Sequence, residues 1–248
     1  MPNSPAIAPP GLHLAIIMDG NGRWASARGR PRAAGHVVGA RKAREMVEIA
    51  SHHGIGTMTL YAFSADNWAR PRREVVTLMR LFRRTILAEQ ERCIATGVRL
   101  IFIGRRDRIP RELLHTIESA EAATAGGRRL LLRVALDYGA RDTIERVIAM
   151  ARVTQGEITR ETVAEMIGRC DHSGGPAPDV DLLVRTGGEQ RLSDFLLWEC
   201  AYAELIFTRR MWPDFGEEDL VQALKDFHSR HRRFGAIDEP AEGQARTA

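Results

Sequence analysis

The sequence predicts a single α/β domain built on a mostly parallel sheet of about six strands flanked by helices, and three observations carry that prediction. Short aliphatic runs recur at residues 12–18, 57–63, 98–103, 129–136, 180–184 and 204–207, all too short to span a bilayer and suited to buried strands. Stretches with helical periodicity separate most of them, which is the β-α alternation of a parallel sheet. Several runs end in loops of glycine, arginine and short polar residues. In open α/β sheets ligands sit at the carboxyl ends of the strands.

Length and composition agree with one soluble globular domain. The chain has 248 residues, 44% apolar and 27% charged, and no run of about 18 apolar residues. Residues 1–11 contain four prolines and lack a basic segment followed by an apolar core, so they read as a disordered lead-in and not a signal peptide. The domain is placed at residues 12–235, with a polar tail at 236–248 and a cytoplasmic location. Cys93, Cys170 and Cys200 are widely spaced, which fits reduced, structural thiols. The net charge is +4, and all but two of the 36 basic residues, Lys42 and Lys225, are arginine. Basic clusters at 70–73, 105–108 and 230–233 lack interleaved aromatic residues, so they read as solvated faces or phosphate contacts and not as a nucleic-acid surface.

The first strand leads into Asp19-Gly20-Asn21-Gly22-Arg23-Trp24. Two glycines one residue apart let backbone N–H groups converge on an anion, and a helix starting just beyond adds its positive end. A carboxylate at Asp19 would repel a phosphate there unless a divalent cation lay between them, as Mg2+ commonly does with one or two carboxylates and substrate phosphates. A turn in which Asp19 merely caps a helix is the plainer reading of the same residues. Gly20-x-Gly22-x-x-Ala25 also fits a dinucleotide fingerprint, but the acid required roughly 20 residues later is missing.

A basic loop at 28–32 and a helix over 35–53 follow, with Arg32 and His36 near its start. The second strand ends in Ser64-Ala65-Asp66-Asn67-Trp68-Ala69-Arg70-Pro71, which a right-handed crossover would bring to the same sheet edge as Asp19. Ser64 or Asp66 could equally cap a helix. A helix from 72 to 96 carries a broad apolar face, which serves either core packing or the wall of an apolar channel. Helices at 110–124, 143–153 and 159–169 alternate with the remaining strands, and residues 137–142 read as a loop. The fifth strand delivers Arg185-Thr186-Gly187-Gly188-Glu189-Gln190-Arg191-Leu192-Ser193, whose guanidinium groups and hydroxyl suit a second phosphate. A helix over 194–201, the strand beginning at Glu204 and a last helix over 217–233 complete the chain.

These residues carry a resemblance. The D-G-N-G-R-W turn at Asp19, the S-x-x-N-W-x-R-P loop at Ser64, R-T-G-G-E-x-R-x-S at Arg185 and the Y-A-E triplet ending at Glu204 resemble the cis-prenyltransferases, from about His13 to Gly235. The resemblance implies a homodimer with an apolar tunnel between sheet and helices. It also implies Mg2+-dependent addition of isopentenyl diphosphate to a short allylic diphosphate such as farnesyl diphosphate. The product would be a long-chain polyprenyl diphosphate of the undecaprenyl type, which carries cell-wall glycans, or a short or branched chain in a specialised paralogue.

By motif position, Asp19 would bind Mg2+ and assist departure of diphosphate, with Glu204 as a second metal ligand. Gly20, Asn21, Gly22, Arg23, Arg32 and His36 would cradle the allylic diphosphate, and Trp24 would line the site. Arg185, Arg191, Leu192 and Ser193 would hold isopentenyl diphosphate, and Asn67 would assist proton removal. Ser64, Ala65, Asp66, Trp68, Arg70 and Glu74 would belong to a segment closing over the substrates. Release of a long lipid product implies transient contact with the inner face of the membrane. Two positions depart from the family pattern: Gln190, where some relatives have histidine, and Asp137-Tyr138-Gly139-Ala140 in place of N-Y-G-G.

Overall fold

The computed structural model describes residues 8–9 and 11–230. Most of the proline-rich lead-in, the polar tail and the end of the last helix predicted over 217–233 therefore lie outside the described residues. Six strands form one sheet: β1 (His13–Ile17), β2 (Thr57–Ser64), β3 (Val98–Ile103), β4 (Leu130–Tyr138), β5 (Leu182–Arg185) and β6 (Glu204–Phe207). Their order is β3-β4-β2-β1-β5-β6, and every pairing is parallel. Because all strands point the same way, the loops after β1, β2 and β5 emerge at one edge.

Among the described residues seven helices flank the sheet: α1 (Asn21–Ser26), α2 (Arg32–His52), α3 (Arg72–Thr96), α4 (Arg111–Thr124), α5 (Ala140–Ala151), α6 (Arg160–Cys170) and α7 (Glu217–Ser229). Alternation along the strands divides the core. Leu14 and Ile16 of β1 join Met46, Leu78, Met79 and Leu224 in one cluster, while Ala15 and Ile17 join Tyr138, Phe195 and Leu196 on the other face. Four helix starts carry a local sequence signal. Pro31, Pro71 and Pro110 precede α2, α3 and α4, and Thr159 caps α6 by accepting a hydrogen bond from the Thr162 N–H.

The structure corrects three boundaries. The helix over 35–53 starts earlier, at Arg32, so Arg32 sits in its first turn. Asp137 and Tyr138 close β4 instead of opening a loop, and α5 begins directly at Ala140. The helix predicted over 194–201 does not form. Ser193, Asp194 and Leu196 have positive φ angles of 51°, 61° and 47°, which no right-handed helix accommodates. Asp194 serves α5 instead: its backbone carbonyl accepts the Ala140 N–H at 2.9 Å and its Oδ1 accepts the Arg141 N–H at 3.0 Å. The bent segment buries Phe195 and Leu196 completely.

Candidate active site

The site is built from the strand-end loops, beginning with the turn after β1. Gly20 has φ +103°, a conformation that lets the chain turn into α1 directly after it, three residues beyond the end of β1. A Cβ there would also lie 2.9 Å from the Met211 side chain. The Asp19 carbonyl is held by the Thr186 hydroxyl at 2.8 Å and the Trp212 N–H at 3.0 Å, so two distant segments fix one residue.

The Asp19 carboxylate faces cations. Arg185 donates to its Oδ2 at 3.1 Å and Arg23 lies 3.1 Å from its Oδ1, which also accepts the Gly20 N–H at 2.5 Å. Half-burial pushes the Asp19 pKa up, but the hydrogen bonds from Arg185 and Arg23 outweigh it and hold the carboxyl below its ordinary value. Arg185 is the interior member, with its side chain 6% exposed. The same guanidinium donates to the Ser193 hydroxyl at 2.7 Å and to the Arg191 carbonyl, joining the first and third loops. Arg191 itself is exposed and pairs with Glu189 at 2.5 Å, and Leu192 packs against the second core cluster. The Arg32 guanidinium lies over Gly22, where a Cβ would stand 2.6 Å from its central carbon.

The second loop is a single 3-10 turn over Ala65–Ala69. Ser64 caps it in a reciprocal box: its hydroxyl accepts the Asp66 N–H at 3.1 Å, and the Asn67 Oδ1 accepts the Ser64 N–H at 3.2 Å. The helix-entry role of Ser64 and its place at the site are therefore both present in one residue. Arg70 bonds Glu74 at 3.1 Å, and the His36 Nε2 lies 4.0 Å from the same carboxylate. Burial, followed by the nearby Arg70, lowers the His36 pKa despite Glu74.

A cavity of about 680 Å³ runs down from these loops between the sheet, α2 and α3. Asp19 and Asn21 from the first loop, Ser64, Asn67 and Arg70 from the second, and Arg185 and Ser193 from the third all line it, as do His36 and Asp66. Below them the wall turns apolar, with Ala62, Leu78, Phe82 and Leu132, and it continues to Cys93 and Val98. Val98 pairs with Leu130 and Leu136 lies near the mouth, so the cavity follows β4 for about 20 Å at ~3.3 Å per residue. The loop end presents cations, amides and hydroxyls and the middle presents hydrocarbon, while Arg44, Glu48, Glu89, Arg92 and Arg129 also stand on the lining.

Trp24 stands behind this surface, buried, with its indole N–H donated to Asp214 at 2.7 Å and Arg28 stacked 4.2 Å above the ring. Glu204 lies elsewhere. It begins β6, opposite Leu182 of β5, which in turn pairs with Leu14 of β1. Asp19 is five residues beyond Leu14, so the two carboxylates of one chain are separated by roughly 15 Å along the strand direction. Glu204 bonds Arg230 at 2.6 Å. Among the described residues no group of three or more His, Cys, Asp or Glu side chains could hold a metal ion. The donor set at Asp19 is one carboxylate beside a phosphate-sized cationic mouth. This fits a Mg2+ ion bound jointly by that carboxylate and substrate phosphates, not a cage made wholly of one chain.

Sequence reasoning did not select Thr186 or Trp212 as site residues. Trp212 touches the cavity and donates its indole N–H to the Gly39 carbonyl at 2.9 Å; the W-P-D sequence at 212–214, followed by a glycine-headed helix, was the available signal. Nor does the 105–108 cluster behave as a solvated face or phosphate contact. Arg105 pairs with Asp107 and Asp142, Arg106 with Glu121, and Arg108 with buried Asp137.

Residues 17–235 match the Prenyltransf family, described as undecaprenyl diphosphate synthase. Isoprenyl transferase 1 of Bradyrhizobium diazoefficiens is 53% identical over 91% of this chain and 90% of its own length. The ditrans,polycis-undecaprenyl-diphosphate synthase of Escherichia coli K12, specific for (2E,6E)-farnesyl diphosphate, is 46% identical over 91% and 90%. The structure of lavandulyl diphosphate synthase from Lavandula x intermedia, in complex with dimethylallyl diphosphate, superposes with a TM-score of 0.83 at 31% identity, covering 90% of this chain and 97% of that one. The chain belongs to the undecaprenyl diphosphate synthase family of prenyltransferases.

Proposed function

We propose that the protein adds isopentenyl diphosphate units in cis geometry to a short allylic diphosphate, with farnesyl diphosphate as primer and Mg2+ as cofactor, giving a long-chain product of the undecaprenyl type. The observation that carries this reading is one cavity whose mouth is lined by Asp19, Asn67, Arg185 and Ser193 and which continues between apolar walls of Ala62, Leu78, Phe82 and Leu132. A diphosphate fits the mouth and a growing prenyl chain fits the depth. The depth supports a long product: small Ala62 leaves the upper wall open and the cavity continues to Val98.

Forming the new bond requires the allylic C–O bond to break, its electron pair leaving with the diphosphate, as the isopentenyl double bond attacks the allylic carbon, after which the isopentenyl moiety loses a proton to a substrate phosphate oxygen. Developing negative charge on the departing diphosphate is met by Arg23 and Arg32 and by the N–H groups of the first turn. Mg2+ held with Asp19 would supply further neutralisation of that charge. Arg185, Arg191 and Ser193 hold the second diphosphate, and Arg185 sets its distance from the first site through its own bond to Asp19. Asn67, fixed through its Oδ1 by the capping box, keeps its amide at the cavity wall, where it orients the proton-loss step.

The protein works as a homodimer in which the partner's Glu204 completes the metal site of Asp19. Supporting this are the placement of Glu204 at the far sheet edge of its own chain and the position of β6 as an edge strand, flanked by Trp198 at 36% and Tyr202 at 60% exposure. No helix among the described residues is long and apolar enough to cross a membrane. The enzyme acts in the cytoplasm and touches the inner face of the membrane transiently to release its lipid.

Mass analysis of products from purified protein, farnesyl diphosphate, excess isopentenyl diphosphate and Mg2+, with an EDTA control, tests the reading. A metal-dependent ladder extending to about eleven isoprene units is expected. A ladder ending after one or a few additions would replace the long-chain product with a short one, and no product from any allylic primer would refute the reading.

A further inference from the structure

Asp137, next to last in β4, has a left-handed conformation, φ 53°, with its side chain fully buried. That backbone twist takes the carboxylate out of the strand's alternation and toward the second loop. Three donors converge on it. The Trp68 indole N–H donates to Oδ1 at 2.8 Å, and Arg108 grips both oxygens, Nε to Oδ2 at 2.9 Å and Nη2 to Oδ1 at 2.5 Å. The Arg108 guanidinium also lies 5.8 Å from the centre of the Trp68 ring.

Arg108 reaches this position because its loop is clamped to β4. The Arg105 N–H donates to the Asp137 carbonyl at 3.0 Å. Gly104, φ +119°, lies so close that a Cβ would stand 2.3 Å from the Leu136 carbonyl oxygen. On the other side, Trp68 meets Phe63 edge to face at 5.3 Å, and Phe63 meets Phe82 at 6.3 Å; both phenylalanines line the cavity. Trp68 is adjacent to Asn67 in the 3-10 turn whose other end is fixed by the Ser64 cap.

We propose that Asp137, braced by Arg108, is a positioning residue that anchors the Trp68 indole and thereby holds the Asn67-bearing turn over the cavity mouth. This rests on the prenyl-transfer reading for its catalytic consequence, though not for the anchoring. The carboxylate is required as such: an amide at 137 could accept from Trp68 but would aim N–H groups at a guanidinium that only donates. The 104–109 loop, which carries no substrate-facing residue, becomes the strut that sets how the second loop stands.

The test is a double-mutant cycle with two readouts. Asp137→Leu and Arg108→Met are each made in the native and the Trp68→Phe backgrounds. kcat and KM for the allylic primer are measured, together with the Trp68 emission obtained as the difference between each protein and its Trp68→Phe counterpart. In the native background kcat/KM should fall about tenfold or more; in the Trp68→Phe background the same substitutions should cost less than about twofold, because the anchored group is already gone. The Trp68 emission should shift to the red as the indole loosens. Equal losses in both backgrounds with an unshifted emission would overturn the proposal. Circular dichroism checks the fold, and if Asp137→Leu does not fold, Arg108→Met carries the same cycle from a partly exposed position. If the native protein makes no product, the prenyl-transfer reading fails while the emission shift still decides the anchoring.

Discussion

Arg185 donates to the Asp19 carboxylate at 3.1 Å and, with the same guanidinium, to the Ser193 hydroxyl at 2.7 Å. One nearly buried cation therefore couples the end of β1 to the third loop, and in the proposed function it would set the spacing between two diphosphates. Removing it leaves Asp19 with one cationic partner, the half-exposed Arg23, beside the Gly20 N–H, and leaves Ser193 unaligned. Arg185→Met should lower kcat/KM by a factor on the order of 100 to 1,000, the range expected when a preorganised charge is lost from the transition state. Arg185→Lys should recover little, since one ammonium cannot serve both directions of the fork. Steady-state kinetics on both variants checks this.

Glu204 and Asp19 sit at opposite ends of the strands of their own chain, so a shared metal site requires a second copy. Asp19→Ala and Glu204→Gln should each be inactive alone. In a co-expressed mixture, half the dimers carry one of each. Each such dimer has one site with both defects and one with neither, so the mixture should recover about a quarter of native turnover. No recovery, with mixed dimers shown by mass spectrometry, would place Glu204 outside the site of Asp19.

Ala62 lies on the upper wall of the cavity, near Phe82 and Leu78. Ala62→Leu adds volume on the path proposed for the prenyl chain and should shorten the product ladder by several units while leaving the first condensation within about threefold. Product masses read this directly.

Across the sheet from the cavity, burial pushes the Glu199 carboxyl up to about 7 and the Asp171 carboxyl to about 6, with buried Arg133 partly opposing both. A carboxylate whose folded pKa is raised contributes stability below its ordinary pKa and loses it as pH rises through the folded value. For Glu199 that window runs from about 4.5 to about 7. Glu199→Gln should therefore change the melting temperature little at pH 5 and raise it at pH 8. Asp19 has the opposite sign: its carboxyl is held low, so its contribution persists until strongly acid pH. An equal shift of the Glu199→Gln melting temperature at both pH values would show that the carboxyl is not raised.

Much of this architecture is legible in the residues themselves. The bounds of β3, β6 and α3 are written in the local sequence: Gly97 ends α3, and its φ of 71° is one that glycine adopts freely. The three strand-end loops were legible for the same reason, since glycine, arginine and hydroxyl residues mark them. What failed was set by distant partners. The 194–201 segment has helical composition, but Asp194 caps another helix and the chain must bend left-handed to let it. Asp137 looked like loop because its partners, Trp68 and Arg108, come from two other elements. The separation of Glu204 from Asp19 appears only once strand register is known.

The most direct test of the account is turnover by Asp19→Ala with farnesyl diphosphate, isopentenyl diphosphate and Mg2+, compared with the native protein at matched circular dichroism. Asp19 is the residue on which the first turn, Arg185 and the proposed metal position converge. The account predicts a native fold and a loss of kcat of at least about 1,000-fold. A correctly folded variant that retains turnover within about tenfold would contradict it, and the chemistry would then have to be organised around another residue of the cavity mouth.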